Sequence, residues 1–256
     1  MSSDLAFALS LADLADEITM RHFRSRSLDV KTKPDLTPVS VADRAAEEAL
    51  RAAILGDRPR EAVVGEEFGE DGDSGEAAAR WILDPIDGTK HYVRGIPLWA
   101  TLIALEQGDS VVLGVASAPA LGVRWWAERG DGAFANGEPI RVSSVAALDE
   151  AAFSHADAHS FEKRGHGPAL RTFSERAWMG RAYGDFWQHM LVAEGRLEFA
   201  VEAVVNLWDL AAVQAIVQEA GGRFTDFAGI ARPDGGSAIS SNGLVHDEVL
   251  AILAST

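Results

Sequence analysis

Two stretches near the start of the chain have the hydrophobic spacing of amphipathic helices. In the first, apolar residues recur every three or four positions from Phe7 to Ile18, with acidic residues between them. This spacing predicts a helix over about residues 4–24. A second helix is expected to begin after Ser40, a suitable N-cap residue, with Asp43 in its first turn. The chain therefore opens with a pair of helices.

Short apolar runs separated by turn residues follow. Residues 62–65 and 80–83 have the composition of buried strands, and an acidic residue follows each of them directly. Glycines and the pairs Asp-Gly and Asn-Gly separate the later runs, as they do in hairpins. These later runs cover residues 99–105, 110–117, 123–128, 132–135 and 139–142. The pattern predicts an antiparallel meander.

The second half of the chain alternates between helical and strand patterns. The expected helices cover residues 185–194, 209–220 and 246–254. The expected strands cover residues 197–201, 223–226 and 237–241. Residues 69–76 and 157–168 are rich in polar residues and glycine and are interpreted as surface loops.

This order of elements predicts a layered α+β / α/β fold. We expect an N-terminal α+β lobe over residues 1–145 with an antiparallel sheet. A C-terminal α/β lobe over residues 146–256 is expected to contain a mixed sheet. The two lobes are expected to form one compact catalytic unit.

Composition excludes several classes of protein. The 256 residues suffice for a full hydrophobic core. A formal net charge of −16 argues against nucleic acid or an anionic membrane as a partner. Because the chain has no cysteine, thiolate metal sites and cysteine-nucleophile phosphatases are excluded. With neither a secretory leader pattern nor an apolar run of roughly 20 residues, a cytoplasmic protein is expected.

Acidic residues occur at four places where a predicted strand or helix meets a loop. They are Glu66 with Glu67, the hexapeptide Asp-Pro-Ile-Asp-Gly-Thr at residues 84–89, Asp43 and Asp209. Magnesium is a hard cation that binds carboxylate and carbonyl oxygens. Short aspartate side chains at the ends of rigid elements hold such oxygens in place. The sequence therefore predicts a magnesium site.

The hexapeptide combines candidate metal ligands with a candidate phosphate site. Pro85 stiffens the turn between the two aspartates, and the Ile86 carbonyl can also face a metal. If Gly88 and Thr89 begin a helix, their amides would point towards a phosphate group. The Thr89 hydroxyl is a candidate for orienting the attacking water, and Asp43 for accepting its proton. The expected chemistry is metal-assisted hydrolysis without a covalent phosphoenzyme.

Each of these motifs also has a structural interpretation. Asp-Gly is a common turn, Asp209 alone suits a helix N-cap, and Glu67 either supports the site or faces solvent. His155, Asp157 and His159 are interpreted as part of a solvated loop without a role. Asp84 and Asp87 are separated by two residues, which disfavours an aspartyl-phosphate enzyme, and a P-loop pattern is absent.

Three motifs in this order resemble those of the inositol monophosphatase superfamily of magnesium-dependent, lithium-sensitive phosphatases. They are Glu66-Glu67, residues 84–89 and residues 208–212, Trp-Asp-Leu-Ala-Ala. The resemblance implies a five-layer αβαβα sandwich, a homodimer and two or three magnesium ions per site. The metal ligands it implies are Glu66, Asp84, the Ile86 carbonyl, Asp87 and Asp209.

The same resemblance implies roles for residues around the metal. Gly88 and Thr89 would bind phosphate. Asp43 and Thr89 would form the pair that activates water, and Glu66 is counted with them as catalytic.

Further segments extend the likeness over nearly the whole chain. Residues 90–105, 117–120, 124–127 and 181–186 resemble the actinobacterial-type histidinol-phosphate phosphatases of this superfamily. This likeness implies hydrolysis of L-histidinol phosphate to L-histidinol and phosphate in histidine biosynthesis. Asp185 and Glu202 are candidate contacts for the alcohol part of the substrate, because two acids suit a cationic amino alcohol.

The sequence departs from this pattern in one place, and other functions stay open. His91-Tyr92 stands where these relatives usually have Asn-Phe, and Arg94 is a candidate for contacting either phosphate or a neighbouring subunit. An inositol-1-phosphate or other sugar monophosphatase is the alternative enzyme. A non-catalytic transcription partner is the alternative of another class, and the intact set of candidate ligands argues against it.

Overall fold

The computed structural model of the chain describes residues 1–25, 30–32, 38–71 and 79–255. The helices are α1 Ser3–His22, α2 Val41–Asp57, α3 Thr89–Val93, α4 Ala158–Lys163, α5 Gly167–Arg176, α6 Asp185–Ala193, α7 Leu207–Glu219 and α8 His246–Ala254. A single 3₁₀ turn is described at Leu148–Glu150. None of the helices in these ranges is both long enough and apolar enough to cross a membrane.

The described strands number fifteen and form three sheets. They are β1 Val30–Thr32, β2 Pro38–Ser40, β3 Ala62–Gly65, β4 Gly69–Asp71, β5 Ala79–Asp87, β6 Ala100–Gln107, β7 Ser110–Ala118, β8 Val123–Glu128, β9 Gly132–Ala135, β10 Glu138–Ile140, β11 Ala152–His155, β12 Met179–Arg181, β13 Phe199–Glu202, β14 Arg223–Thr225 and β15 Ala238–Ser241. β1 and β2 form a separate two-stranded sheet.

The largest sheet has the strand order β10-β9-β8-β7-β6-β5-β3-β4. Its run from β6 to β10 is antiparallel, which confirms the predicted meander. The prediction that the whole sheet is antiparallel is wrong, because β3 pairs parallel to β5. The chain leaves β3 through β4 at the sheet edge and returns on the other side of β3. Gly65 consequently lies opposite Leu83, and Glu66 and Asp84 are the residues that directly follow this pair.

The smaller sheet has the order β12-β11-β13-β15-β14 and is mixed, as predicted. β11 pairs parallel to both β12 and β13, and the remaining pairs are antiparallel.

Three apolar clusters define five layers. On one face of the large sheet, side chains of α1 and α2 such as Leu11 and Leu50 pack against Trp81. Between the sheets, α6 and α7 pack on both of them. On the far face of the small sheet, α4, α5 and α8 enclose a cluster that contains Phe153 and Phe199. Burial of these faces stabilises the stack, and the predicted αβαβα sandwich is confirmed.

Both predicted surface loops contain regular structure. Residues 69–71 form the exposed strand β4, held by the Arg51 guanidinium, which donates to Gly69 O and pairs with Asp71. Residues 72–76 of that prediction lie outside the described residues. Residues 157–168 contain α4 and the start of α5, because the Asp157 side chain caps α4 by accepting from two backbone amides. The loop interpretation is therefore wrong for these parts.

The division at residue 145 remains a prediction. It falls between β10 and the 3₁₀ turn at Leu148–Glu150. Helix α7, from the second half, contacts β5, β6, β7 and β8 of the large sheet.

Gly114 permits a close approach between α7 and the large sheet. A Cβ atom built at Gly114 would lie 2.4 Å from Ala212 O and 2.9 Å from Ala212 Cα. Both are backbone atoms of the helix, so no side-chain rotation can relieve the contact. Only glycine allows α7 to lie at this distance.

We expect Gly114→Ala to lower the free energy of unfolding by about 1–3 kcal/mol, because overpacking displaces α7. Gly56→Ala is the matched control. Gly56 lies in α2, and a Cβ atom added there would have no neighbour within 4 Å, so alanine should stabilise by up to about 1 kcal/mol. Urea denaturation measures both changes, and equal effects of the two substitutions would contradict this account.

Candidate active site

An irregularity in the pairing of β5 with β6 brings two aspartates together. Asp84 lies opposite Leu102, and the next pair is Asp87 opposite Ala100. Three steps along β5 thus span two steps along β6, so β5 contains one bulged residue. Residues three apart in a regular strand point to opposite faces, and the extra residue restores the same face. Pro85, which cannot donate a ladder hydrogen bond, lies within this bulge.

Three carboxylates converge at this strand end. Oxygen atoms of Asp84, Asp87 and Asp209 all lie within 4.8 Å of one another. Asp84 and Asp87 are buried, whereas Asp209, in the first turn of α7, is partly exposed. The cluster therefore joins the large sheet to the middle helical layer.

Backbone amides hold each carboxylate in place. Asp84 Oδ1 accepts from the amide of Ile86 at 3.0 Å. Asp87 Oδ2 accepts from the amide of Phe186 at 2.5 Å, and Asp209 Oδ2 accepts from the amide of Asn206 at 2.7 Å. One oxygen of each residue is thereby fixed.

The environment raises the pKa of all three aspartates. Desolvation is the largest cause in each case, and repulsion by neighbouring acids adds to it. For Asp209 these effects raise the pKa to about 7. A hard divalent cation fits this arrangement, because converging carboxylate oxygens are its preferred ligands and its charge would offset their repulsion.

Glu66 belongs to the same electrostatic group. Its charge raises the pKa of Asp84, Asp209 and Asp43, and it lines the same cleft. The turn that carries Glu66 is anchored by the buried Glu47, which accepts from the Glu67 amide at 2.7 Å.

Asp43 is held firmly and faces Thr89. Ser40 donates to Asp43 Oδ2 from its amide at 2.8 Å and from its hydroxyl at 2.6 Å, in a capping box at the start of α2. The Thr89 hydroxyl lies 3.3 Å from Asp43 Oδ1 and 2.9 Å from Ile86 O. Since a hydroxyl has one proton, it donates to one of these oxygens at a time. Desolvation raises the pKa of the buried Asp43.

Gly88 joins this strand end to a short helix. It has φ 83° and ψ 34°, the left-handed region, and forms the N-cap of α3. A Cβ atom here would lie 2.8 Å from Leu98 O, so both conformation and space require glycine. The helix begins at Thr89, as the phosphate-site hypothesis requires, and first-turn amides have no partner within a helix.

These residues open into a cleft with a volume of about 480 Å³. The predicted residues on its wall are Glu66, Asp84, Ile86, Asp87, Gly88, Thr89, Asp185, Glu202 and Asp209. Asp43 joins them through Thr89. The structure thus brings all the predicted site residues together.

Asp185 and Glu202 differ in their surroundings. Asp185 has a positive φ of 49° at the start of α6, and its Oδ2 lies 3.0 Å from His91 Nδ1. This contact raises the pKa of His91. Glu202 ends β13, is 6% exposed, and accepts a hydrogen bond from Gln188. His91 therefore has a contact partner, Asp185, at the start of α6.

Sequence reasoning missed several residues of the cleft. The loop interpretation gave Asp157 no role, but this residue caps α4 and lines the cleft. Its spacing to Ser160 is a capping signal that was available in the sequence. His189 also lines the cleft, four residues after Asp185 on the same helical face. Arg94 is exposed at the end of α3, and its role stays open.

Comparisons with known proteins agree with this site. The family model described as "Inositol monophosphatase family" matches residues 1–255. The chain is 50% identical over 252 residues to a histidinol-phosphatase of Mycobacterium tuberculosis, covering 96% of each chain. It is 48% identical over 259 residues to a histidinol-phosphatase of Streptomyces coelicolor, covering 98% of this chain and 96% of the relative.

A solved structure shows the same fold. The IMPase of Thermotoga maritima superposes with a TM-score of 0.88 at 34% identity, covering 99% of this chain and 98% of that one. The resemblance inferred from the sequence motifs is confirmed: the chain belongs to the inositol monophosphatase family and is a metal-dependent phosphatase.

Proposed function

We propose that the chain is a magnesium-dependent phosphatase that hydrolyses L-histidinol phosphate to L-histidinol and phosphate in histidine biosynthesis. The observation that carries this proposal is the placement of Asp185 and Glu202 in the same cleft as the carboxylate cluster. The two histidinol-phosphatases at 50% and 48% identity support the choice of substrate.

Glu66, Asp84, Asp87, Asp209 and the Ile86 carbonyl are the residues that would hold magnesium, in two or three ions per site. When bound, the metal lowers the pKa of water and offsets the negative charge of the phosphate. The carboxylates contribute by presenting their oxygens in fixed positions, because backbone amides already orient three of them.

Thr89 and Asp43 would move the proton of the attacking water. Water oxygen bonds to phosphorus, its proton passes to the Thr89 hydroxyl, and the hydroxyl passes its own proton to Asp43 Oδ1. The raised pKa of Asp43 makes it a better proton acceptor than an ordinary aspartate. The amides of Gly88 and Thr89 would hold the phosphate while the bond between phosphorus and the ester oxygen breaks, and the leaving oxygen takes its proton from solvent water.

The leaving alcohol would lie towards Asp185 and Glu202. An amino alcohol carries a positive charge, and acids of a strongly anionic protein attract it. A homodimer, which the family resemblance implies, and a cytoplasmic location, which the sequence predicts, complete the proposal.

The substrate is tested by comparing initial rates on histidinol phosphate, inositol 1-phosphate and a nucleotide 3′-phosphate, with and without magnesium. We expect kcat/KM for histidinol phosphate to exceed the others by at least about tenfold, the effect of roughly one good charged contact. A preference for the inositol ester would assign the alternative function, a sugar monophosphatase. A preference for the nucleotide 3′-phosphate would contradict both the histidinol-phosphatase function and the sugar-monophosphatase alternative.

Thr89→Ala and Asp43→Asn should each lower kcat by about 10²–10⁴, the usual contribution of positioned proton transfer. Thr172→Ala is the matched control, because Thr172 lies on α5 and its hydroxyl donates to the Pro168 carbonyl of the same helix. Steady-state kinetics measure these changes. If both site variants kept wild-type kcat, the proton path would be wrong.

Stability without metal should fall as the pH rises. Asp209 has a pKa of about 7 in the folded protein and an ordinary value of about 3.9 when unfolded. The folded state therefore holds this proton more tightly, and the free energy of unfolding decreases between about pH 4 and pH 7. Saturating magnesium, at roughly 100 times Kd, should raise Tm by about 5–10 °C near pH 8.

The same magnesium addition should raise Tm much less near pH 5, where Asp209 holds its proton. Asp87→Asn should reduce the shift at both pH values, whereas Asp131→Asn in the exposed β8–β9 turn should leave it unchanged. Thermal melts monitored by circular dichroism give these values. A magnesium shift that is independent of pH and of Asp87 would rule out the cluster as the binding site.

A further inference from the structure

Two neighbouring side chains of α6 converge on Glu202. Gln188 Nε2 donates to Glu202 Oε1, and His189 Nε2 lies 3.6 Å from the same oxygen. The exposed fractions are 0% for Gln188, 1% for His189 and 6% for Glu202. Glu202 thus meets two potential donors in an environment almost without solvent.

The ring of His189 is fixed from its other side. Its Nδ1 lies 2.7 Å from the hydroxyl of Ser240, which is fully buried on β15 next to β13. When the Ser240 hydroxyl donates to Nδ1, the proton of a neutral imidazole lies on Nε2. The nearby Glu202 carboxylate favours this tautomer, because the N–H then points towards a negative charge.

A purely structural role leaves two buried polar atoms of α6 unexplained, His189 Nε2 and Gln188 Oε1. Within the described part of the chain, His189 Nε2 is buried and makes no hydrogen bond in the geometry observed. An unsatisfied buried polar atom is costly. Both His189 and Glu202 line the cleft, so the arrangement faces a ligand rather than a closed core.

The other two acids on this side of the cleft have different surroundings from Glu202. Asp157 accepts from the His159 amide at 3.1 Å and from the Ser160 amide at 3.2 Å. Asp185 Oδ2 lies 3.0 Å from His91 Nδ1. For Glu202, the α6 side chains approach Oε1, and no hydrogen bond from another described residue reaches Oε2, so this oxygen can meet a ligand.

We propose that His189 is a positioning residue for substrate specificity, which together with Gln188 orients Glu202 to select an alcohol that carries a positive charge. The inference deepens the proposed function and rests on it for the identity of that alcohol. His189 acts through Glu202 and has no part in the attack on phosphorus.

The test compares kcat/KM for histidinol phosphate with kcat/KM for 4-nitrophenyl phosphate, which carries no amine. His189→Phe keeps a ring but loses the N–H, and the ratio of the two values should fall about tenfold through a higher KM for histidinol phosphate. His189→Gln, which retains an N–H donor, should recover part of the ratio. His189→Phe added to Glu202→Gln should cause little further loss, because the two residues act as one unit.

His246→Phe is the matched control for loss of a buried histidine. His246 is fully buried and contacts the hydroxyls of Ser241 and Thr225, away from the cleft. This variant should lower Tm and leave the ratio unchanged. If His189→Phe behaved in the same way, or if its effect were fully additive with that of Glu202→Gln, the inference would be overturned.

The substrate preference of the wild-type enzyme distinguishes failure of the proposed function from failure of the positioning role of His189. A wild type that prefers a neutral ester contradicts the proposed function and the cation selection together. A wild-type preference for histidinol phosphate that survives His189→Phe contradicts this inference alone.

Discussion

Repulsion among carboxylates is the main physical constraint on the structure of this active site. Bringing Asp84, Asp87 and Asp209 within 4.8 Å of one another opposes folding, because desolvation and mutual repulsion both disfavour their charged forms. Glu66 adds a further negative charge to the group. The surrounding structure holds the cluster together with backbone amides from the turn after Asp84 and the first turns of α6 and α7. The site is therefore preorganised for a cation before any cation binds.

The five-layer packing determines where these charges meet. The parallel pairing of β3 with β5 places Glu66 beside Asp84, and the bulge in β5 brings Asp87 to the same face. The middle layer supplies Asp209, and Gly114 lets α7 approach the sheet closely enough for that. Helix α6 then contributes the wall that holds Asp185, Gln188 and His189. The positions of the site residues therefore depend on how α6 and α7 pack between the two sheets.

Much of the metal site could be predicted from the sequence, because its acids directly follow apolar runs or begin helices. The contacts between residues far apart in the chain could not be predicted in this way. The pair of His91 and Asp185 joins residues far apart in the chain, and the parallel strand pair depends on β4 at the sheet edge. Local spacing also missed α4, since a short exposed helix is stabilised by its cap at Asp157 rather than by an apolar stripe. His189 lies on a helix whose composition suggests only core packing, so its contact with Glu202 was not visible.

The central claim is that this cluster binds magnesium in place of protons. Because burial and repulsion raise the pKa of Asp209 to about 7, this carboxyl retains a proton near pH 6 that the metal must displace. Titration calorimetry of magnesium in buffers of different ionisation enthalpy counts the protons released. We predict net proton release near pH 6 that declines by about pH 8 and is reduced in Asp87→Asn. Binding without proton release, or binding unchanged in Asp87→Asn, would contradict the account.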